Sequence, residues 1–251
     1  LALMVETIQS DVRQAVLMFN VDFANREAYC GHPLGEEAYQ RYQPLAGRSA
    51  LQVIRESKRL VQVLAIIGGQ WPHTSFMVPG GVTSIPEIAK ILQGRVIVER
   101  FRSWYERSVL GCSIARWLAI ESVADLDAWL DESPEHRDSE VGFFIRFARE
   151  ARLDTLGKGP NRFLSYGNFP MPAATAVQGS GARLIAAGVA AGSAVFPLQT
   201  VKITEDVSHA WYQQGSDPLH PLIGKTKPYA AGQGGRMYSW VKAPRYGGEV
   251  V

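Results

Sequence analysis

The sequence predicts a mixed α+β fold that is predominantly helical, with long helices in residues 1–157 and short strands after them. Two observations indicate this class. In the first part of the chain, apolar residues recur at three- and four-residue steps, which is the period of an α-helix with one buried face. After Gly157 that period is lost, and short apolar runs alternate with glycine and proline, a pattern typical of strands joined by turns. We therefore expect two portions, residues 1–157 and 158–251.

Helix signals can be placed in order along the first portion. Residues 3–19 predict an amphipathic helix, because apolar residues recur there at three- and four-residue steps: Val5, Ile8, Val12, Ala15, Val16 and Phe19. Residues 25–48 contain two prolines and three glycines among polar and aromatic residues, so we expect an irregular segment there. Ser49 is expected to cap a helix that ends at Gly68 and Gly69.

Serine caps predict the remaining helices. The residues S-I-P-E at 84–87 form a capping box with proline near the first helical position, so a helix should start at Ser84 and run to about Leu110. Gly94 is expected to be a weak point in it. Ser122 and Ser139 should begin two further helices, and the second should end near Gly157.

In the second portion, strands are predicted at residues 162–166, 183–187 and 198–203. Residues 208–248 are rich in glycine, proline, tyrosine and tryptophan and have little periodicity. Taken without any resemblance, Glu205 reads as the start of a helix, where its charge would suit the N-terminal dipole. Lys242 reads as a surface lysine near a turn.

Composition and motifs exclude several classes of function. The 251 residues carry a net charge of +2, so nothing points to nucleic acid or to an anionic membrane surface. Among the five histidines there is no H-E-x-x-H, and no G-x-S-x-G elbow is present. Cys30 and Cys112 belong to no C-x-x-C pair, so we expect each to be a small buried thiol in a reducing compartment.

Several sequence blocks are similar to a known enzyme family. They read GGQWPHT at 68–74, VPGGV at 78–82, ITEDVSHAWY at 203–212, HP at 220–221, GKTKPY at 224–229 and YSWVKAPRY at 238–246. In this order they closely resemble the large subunit of nickel–iron ([NiFe]) hydrogenases. The resemblance runs from about residue 21 to residue 249 and is weak across 95–160. It implies a [NiFe] hydrogenase large-subunit-like fold that is incomplete at both ends, with 1–157 as helical scaffold and 158–251 as a mixed strand and loop portion of the same domain.

The resemblance implies cofactors that this sequence does not ligate. In the family, four cysteines from two C-x-x-C motifs hold nickel, and two of them bridge to an iron that carries CO and cyanide. That centre splits H₂ heterolytically, and electrons leave through FeS clusters of a small subunit. None of those cysteines is in this sequence, so we expect an internal fragment with no catalytic residue and no direct metal ligand. The full-length parent is expected to hold the Ni-Fe(CO)(CN)₂ centre and magnesium.

Three residues take roles from the resemblance. His73 matches a histidine that faces the small subunit near an FeS cluster, where an imidazole N–H can donate to sulfur and raise the cluster's potential. Without the resemblance, His73 reads as a structural, hydrogen-bonded histidine. Glu205 and Lys242 match residues that reach a magnesium ion through bound water, which suits a cation that keeps its hydration. Where the family often has a basic residue, this chain has Gln70.

Three functions remain open at this stage. The first is the catalytic subunit of an uptake hydrogenase, with H₂ as substrate and an FeS small subunit as partner. The second is an H₂-sensing regulatory homologue with the same metal centre and slow turnover. The third is the related subunit of respiratory complex I, which binds no nickel. A cytoplasmic or membrane-associated location fits the resemblance, with membrane contact only through other subunits.

Overall fold

The structure, a computed structural model, describes residues 1–83, 85–170, 183–213, 218–224, 226–229 and 236–251. The chain divides into two units, Leu1–Leu156 and Gly157–Val251. The helices of the first unit are α1 (Ala2–Arg13), α2 (Gly35–Tyr42), α3 (Arg48–Gly68), α4 (Ile88–Trp104), α5 (Ile114–Leu118), α6 (Val123–Glu132), α7 (Pro134–Asp138) and α8 (Glu140–Glu150). A short hairpin of β1 (Met77–Val78) and β2 (Gly81–Val82) lies between α3 and α4. That both units form one large-subunit domain stays a prediction.

The helix predicted for residues 3–19 is confirmed. It consists of α1 and a following π-helical stretch, Gln14–Phe19. Of its predicted apolar face, Val5, Val12 and Val16 are buried, whereas Ile8, Ala15 and Phe19 are exposed. The predicted irregular segment 25–48 is partly wrong, because it contains α2. Its prolines and glycines flank the helix or stand at its first residue, while Ala38 and Tyr42 anchor it in the core.

Two helix boundaries differ from the prediction. The helix expected from Ser49 begins at Arg48, with Gly47 at the N-cap, and the Ser49 hydroxyl donates instead to Glu140 Oε1 at 2.5 Å. The predicted end is confirmed, because α3 ends at Gly68 and Gly69 follows with φ of +82°. The predicted cap Ser84 lies outside the described residues, and α4 begins at Ile88.

Gly94 is a packing position rather than a weak point. It is buried within α4, and a Cβ at this position would lie 3.8 Å from Val63 Cγ1 on α3. A methyl group would therefore fit between the two helices in ordinary contact. The helix continues through a π-helical stretch, Tyr105–Leu110, and stops at Gly111, whose φ is +71°.

Serine caps organise the last helices of the first unit. The side chains of Ser122 and Ser139 accept the backbone N–H of Asp125 and Gly142, which confirms both predicted starts. The predicted end near Gly157 is wrong, since α8 ends at Glu150. The helices enclose an aromatic core in which the Phe23 and Phe147 rings stack with centroids 4.2 Å apart.

The second unit contains two antiparallel three-stranded sheets in the described residues. The first has the order β3 (Arg162–Pro170), β4 (Arg183–Ala191) and β5 (Ala194–Phe196). The second has the order β6 (Ile203–Asp206), β7 (Ala243–Tyr246) and β8 (Glu249–Val250). Val189, Ile203 and Tyr246 form the small core of this unit. Strands predicted at 162–166 and 183–187 are confirmed, whereas 198–203 is mostly loop and a 3-10 turn, Thr200–Lys202.

The cysteine prediction is half wrong. Cys30 is exposed, whereas Cys112 is half-buried and its sulfur accepts the indole N–H of Trp129 at 3.3 Å. A bilayer-spanning helix is not found among the described residues.

Candidate functional site

The antiparallel β6–β7 ladder carries two charged residues from each of the two segments that the sequence blocks single out. Glu205 lies opposite Pro244, and Asp206 lies opposite Ala243. Since neighbouring residues of a strand point to opposite faces, Glu205 and Asp206 project to different sides of the sheet. The prediction that Glu205 starts a helix is wrong, because it sits in a strand whose first residues, Ile203 and Thr204, are β-branched.

Both edges of β6 fix the backbone of Glu205. Besides pairing with β7, its N–H donates to the carbonyl of Leu219 at 2.9 Å. Pro244, which has no N–H to donate, is tolerated in β7 because β8 pairs only with Arg245 and Tyr246. The Glu205 backbone is therefore bonded to Leu219 on one side, while the neighbouring residues of β6 pair with β7 on the other.

Glu205 and Lys242 meet, although 37 residues separate them in the sequence. The Lys242 Nζ donates to Glu205 Oε2 at 2.8 Å, and both side chains are largely shielded from solvent. The ammonium also lies 5.7 Å from the centre of the Tyr212 ring, within the range of a cation–π contact. The other carboxylate oxygen, Oε1, has no hydrogen-bond donor among the residues that the structure describes.

A second ion pair lies on the opposite face of the same ladder, and sequence reasoning missed it. The Nε of Arg245 donates to Asp206 Oδ2 at 2.8 Å, and one of its terminal amino groups contacts the same oxygen. The Ser208 N–H donates to Asp206 Oδ1 at 2.8 Å. These bonds, that of Ser208 first and that of Arg245 second, lower the pKa of Asp206 to about 2. The sequence does contain a signal for this pair, namely two adjacent acidic residues at 205–206 and basic residues at 242 and 245. If the two segments are assumed to pair as antiparallel strands, this pattern predicts ion pairs between them.

Aromatic side chains of the same blocks pack against one another beside this ladder. The Trp240 ring meets Trp211 edge-on at 5.2 Å and Tyr212 at 5.8 Å between centroids. His209 stacks on Tyr238 with centroids 5.7 Å apart. These contacts show how a segment with little periodicity is ordered around the Glu205–Lys242 pair.

His73 lies in the first unit, directly after α3. Its side chain is exposed and its φ of +62° is unusual for a residue with a side chain. Local hydrogen bonds hold this conformation, because Gln70 Nε2 donates to the His73 carbonyl at 2.6 Å and Thr74 Oγ1 donates to that of Gly68 at 2.7 Å. The Trp71 indole donates to Glu6 on α1 at 3.1 Å.

A set of exposed apolar side chains lies close to His73 in the sequence. It comprises exposed side chains of the β1–β2 hairpin, of the segment before it and of the start of α4, and we call it the hairpin face: Trp71, Met77, Val78, Val82, Ile85 and Ile88. Soluble proteins seldom leave so many large apolar side chains together in water, so such surfaces mark contact sites.

The described residues do not provide a direct metal site. No group of three or more His, Cys, Asp or Glu side chains converges anywhere in the described parts of the chain. The β6–β7 ladder instead provides the carboxylate of Glu205, which is largely shielded from solvent and paired with the Lys242 ammonium. Its Oε1 can still accept a hydrogen bond.

Comparisons with known proteins concern the family and the fold. Residues 141–251, which include Glu205 and Lys242 but not His73, match the family model of nickel-dependent hydrogenase. The chain is similar in structure to the Ni-Fe-Se hydrogenase of D. vulgaris Hildenborough in the reduced state, with a TM-score of 0.67 and 20% identity over 99% of this chain and 45% of that one. It is also similar to the hydrogenase of the same type from Dm. baculatum, with a TM-score of 0.69 and 18% identity over 99% of this chain and 46% of that one.

These matches confirm the resemblance and the large-subunit fold predicted from the sequence. The chain spans less than half the length of the hydrogenase chains that it matches.

Proposed function

We propose that this chain is part of the large, catalytic subunit of a nickel–iron hydrogenase, which oxidises H₂ heterolytically and passes electrons to an FeS-containing small subunit. The observation that carries the proposal is the family match over residues 141–251 on a chain that has the large-subunit fold throughout. The same matched segment contains Glu205 and Lys242, the two residues for which the resemblance implies a place near magnesium. When bound, the Ni-Fe(CO)(CN)₂ centre of the parent would supply the site at which H₂ is cleaved.

The Glu205–Lys242 pair fits an outer position around magnesium rather than a direct one. Magnesium prefers oxygen ligands and keeps several of its waters. A carboxylate that holds an ammonium at 2.8 Å is already charge-neutralised, which disfavours direct ligation by the same oxygen. Its Oε1 can still accept a hydrogen bond from a metal-bound water, and Lys242 fixes the direction in which that oxygen points. Glu205 would therefore orient water, and Lys242 would orient Glu205.

The hairpin face fits the contact with the small subunit. Its apolar side chains lie close to His73 in the sequence, and the backbone around that residue is fixed by Gln70 and Thr74. An exposed imidazole on a fixed backbone can donate an N–H across an interface without the cost of ordering a flexible loop. We propose that His73 donates to a sulfur atom of the nearest cluster and raises its reduction potential.

The first experiment tests the reaction itself in the purified full-length protein with its partner subunits. Infrared spectra should show the stretching bands of CO and cyanide, and H₂ uptake with an artificial electron acceptor should be rapid. The same bands with slow turnover would favour the H₂-sensing homologue. Absence of the bands and of nickel would favour the complex I relative and contradict the proposal.

A second experiment tests the role of Glu205 within that protein. In Glu205→Gln, magnesium content and the H₂ oxidation rate should both fall, because a neutral amide no longer balances Lys242 and accepts weaker hydrogen bonds from water. The matched control is Glu150→Gln, since Glu150 is an exposed glutamate in the same matched segment. Equal magnesium content and rates in the two variants would contradict the assigned role.

A third experiment tests His73 through the partner's cluster. In His73→Ala, the potential of the nearest FeS cluster, measured by a redox titration with electron paramagnetic resonance, should become more negative. The two subunits should still co-purify, because the apolar contacts of the hairpin face remain. An unchanged potential in an intact complex would refute the hydrogen bond to sulfur, and Gln14→Ala on the exposed surface of the same unit provides the control.

A further inference from the structure

Tyr212 contacts the segment that carries Lys242 at two points. The centre of its ring lies 5.7 Å from the Lys242 ammonium, and its hydroxyl donates to the carbonyl of Trp240 at 3.3 Å. The first contact engages the side chain of Lys242, and the second engages the backbone two residues before it. One residue therefore restrains both the backbone and the charged end of this segment.

The Tyr212 ring belongs to a backbone that is itself restrained. The Trp211 N–H donates to the carbonyl of Ser239 at 2.8 Å, and the Trp211 carbonyl accepts the Tyr229 N–H at 2.8 Å. The rings of Tyr212 and Trp240 meet edge-on with centroids 5.8 Å apart, a favourable arrangement for two aromatic side chains. Because hydrogen bonds hold the chain on two sides and an aromatic neighbour holds the ring, Tyr212 presents a surface of defined position to Lys242.

Lys242 benefits from a second restraint, because its ammonium is a compact charge at the end of a flexible four-carbon chain. Several rotamers of such a chain can make a hydrogen bond to Glu205 Oε2, which Lys242 contacts at 2.8 Å, and the bond can shift to Oε1. An aromatic ring attracts a cation that lies within about 6 Å of its centre, so the Tyr212 ring disfavours positions of the ammonium that are remote from it. The two contacts together restrict the ammonium more than either contact does alone.

We infer that Tyr212 is a positioning residue, which holds the Lys242 ammonium against Glu205 Oε2 so that Oε1 stays available to another donor. The ring rather than the hydroxyl carries this role, because the 3.3 Å contact of the hydroxyl is longer than the usual O–H···O distance of about 2.5–3.0 Å. The inference rests on the proposed function for the identity of that donor, a water bound to magnesium. The contact between Tyr212 and Lys242 does not depend on that function.

A double-mutant cycle in the full-length protein with its partner subunits tests this role. Tyr212→Leu removes the ring, and Lys242→Met removes the charge but keeps a long side chain. Tyr212→Leu should lower the H₂ oxidation rate by about two- to fivefold, the factor that corresponds to one cation–π contact. In the Lys242→Met background the same substitution should have no further effect. An equal loss in both backgrounds would overturn the inference, because Tyr212 would then act through a group other than Lys242.

Tyr212→Phe separates the ring from the hydroxyl. It keeps the ring and loses the bond to Trp240, so its rate should be close to that of the unsubstituted protein, and a loss as large as that of Tyr212→Leu would overturn the inference. The matched control is Tyr238→Leu, since Tyr238 is an exposed tyrosine of the same sequence block and stacks on His209 instead. Its effect should be equal in the two Lys242 backgrounds. A dependence on Lys242 as strong as that of Tyr212 would indicate a general loss of structure and would also overturn the inference.

Hydrogen exchange of the β6–β7 ladder in the same variants measures the contact without the reaction. Tyr212→Leu should speed this exchange by about two- to fivefold when Lys242 is present and should leave it unchanged in the Lys242→Met background. Additive effects would show that the ring and the ammonium do not interact, which would overturn the inference. Infrared bands and H₂ oxidation are recorded on the unsubstituted protein, so that their absence counts against the proposed function, while the exchange cycle decides the contact separately.

Discussion

Replacing Glu140 by alanine should loosen the contact of α2 with α3 and α8 more than any comparable surface substitution. Glu140 accepts hydrogen bonds from Tyr42 at 2.6 Å, from Ser49 at 2.5 Å and from Arg41 at 3.3 Å. The Arg41 side chain is 5% exposed and that of Glu140 is 12% exposed. Burial first, and the Glu140 charge second, raise the pKa of Tyr42 well above its usual value, so its hydroxyl stays protonated and donates.

The loss of stability in Glu140→Ala depends on the contacts that Arg41 keeps. Breaking a buried ion pair by removing one partner costs about 3–5 kcal/mol. Arg41 keeps Glu37 at 2.6 Å and the Asp138 carbonyl at 2.9 Å, so the low end applies and we expect about 3 kcal/mol. Glu140→Gln keeps the size and one acceptor oxygen and should cost about 1.5 kcal/mol, the value of a hydrogen bond to a charged group.

Hydrogen exchange measured by mass spectrometry on the full-length protein reads out this change locally. A loss of about 3 kcal/mol corresponds to roughly a hundredfold faster exchange for amides of α2 that open with the network. The matched control is Glu36→Ala, because Glu36 pairs with Arg26 at 2.9 Å with side chains that are 59% and 65% exposed. Such a surface pair is worth about 0.5 kcal/mol, roughly a twofold change. Equal exchange in the two alanine variants would refute the reasoning.

Three further results are expected in the full-length protein. Gly94→Ala should raise the midpoint of thermal unfolding, because a Cβ would lie in ordinary contact 3.8 Å from Val63 and alanine favours a helix over glycine by about 1 kcal/mol. Gly94→Leu should lower the midpoint, because overpacking costs about 1–3 kcal/mol of stability. Because the folded pKa of Asp206 is depressed to about 2, its stabilising effect should be complete above the usual aspartate pKa and should vanish as the pH falls through about 2. In Asp206→Asn, the hydrogen exchange of the β6–β7 ladder should lose that pH dependence. The same pH dependence in this variant and in the unsubstituted protein would contradict the prediction. Ser122→Ala should speed exchange in α6 by the loss of the cap to Asp125, about 1 kcal/mol, with an unchanged rate as the contrary outcome.

Elements defined by local chemistry were predictable from the sequence. The serine caps at Ser122 and Ser139 and the glycine stop of α3 depend on residues within one helical turn, and all three are where the sequence indicates. Helix α2 was missed because prolines and glycines at 33–47 mark its boundaries, and boundary residues look the same as residues of an irregular loop. Only the burial of Ala38 and Tyr42 distinguishes the two cases, and burial depends on tertiary packing.

The sequence predicted which residues belong to the site but not how they are arranged in space. The sequence blocks single out Glu205 and Lys242, yet their contact depends on the register of β6 with β7, which joins segments about 40 residues apart. Reading Glu205 as a helix start followed from a general preference for acidic residues in a first helical turn. The tertiary pairing overrides that preference, since strand propensity and the ladder to β7 together outweigh it.

Two ion pairs on opposite faces make the β6–β7 ladder a suitable support for a residue that must be positioned. Among the described residues of the second unit, few apolar side chains are buried, namely Val189, Ile203, Ala210 and Tyr246, so packing of these residues alone restrains the ladder weakly. The Asp206–Arg245 pair ties the end of β6 to the strand β7, and the Tyr246 hydroxyl accepts the Gln199 N–H at 3.0 Å at the other end. A slip of the register by one residue would move Glu205 to the face of Arg245 and separate it from Lys242. The charged pair that sequence reasoning missed therefore keeps in place the pair that it found.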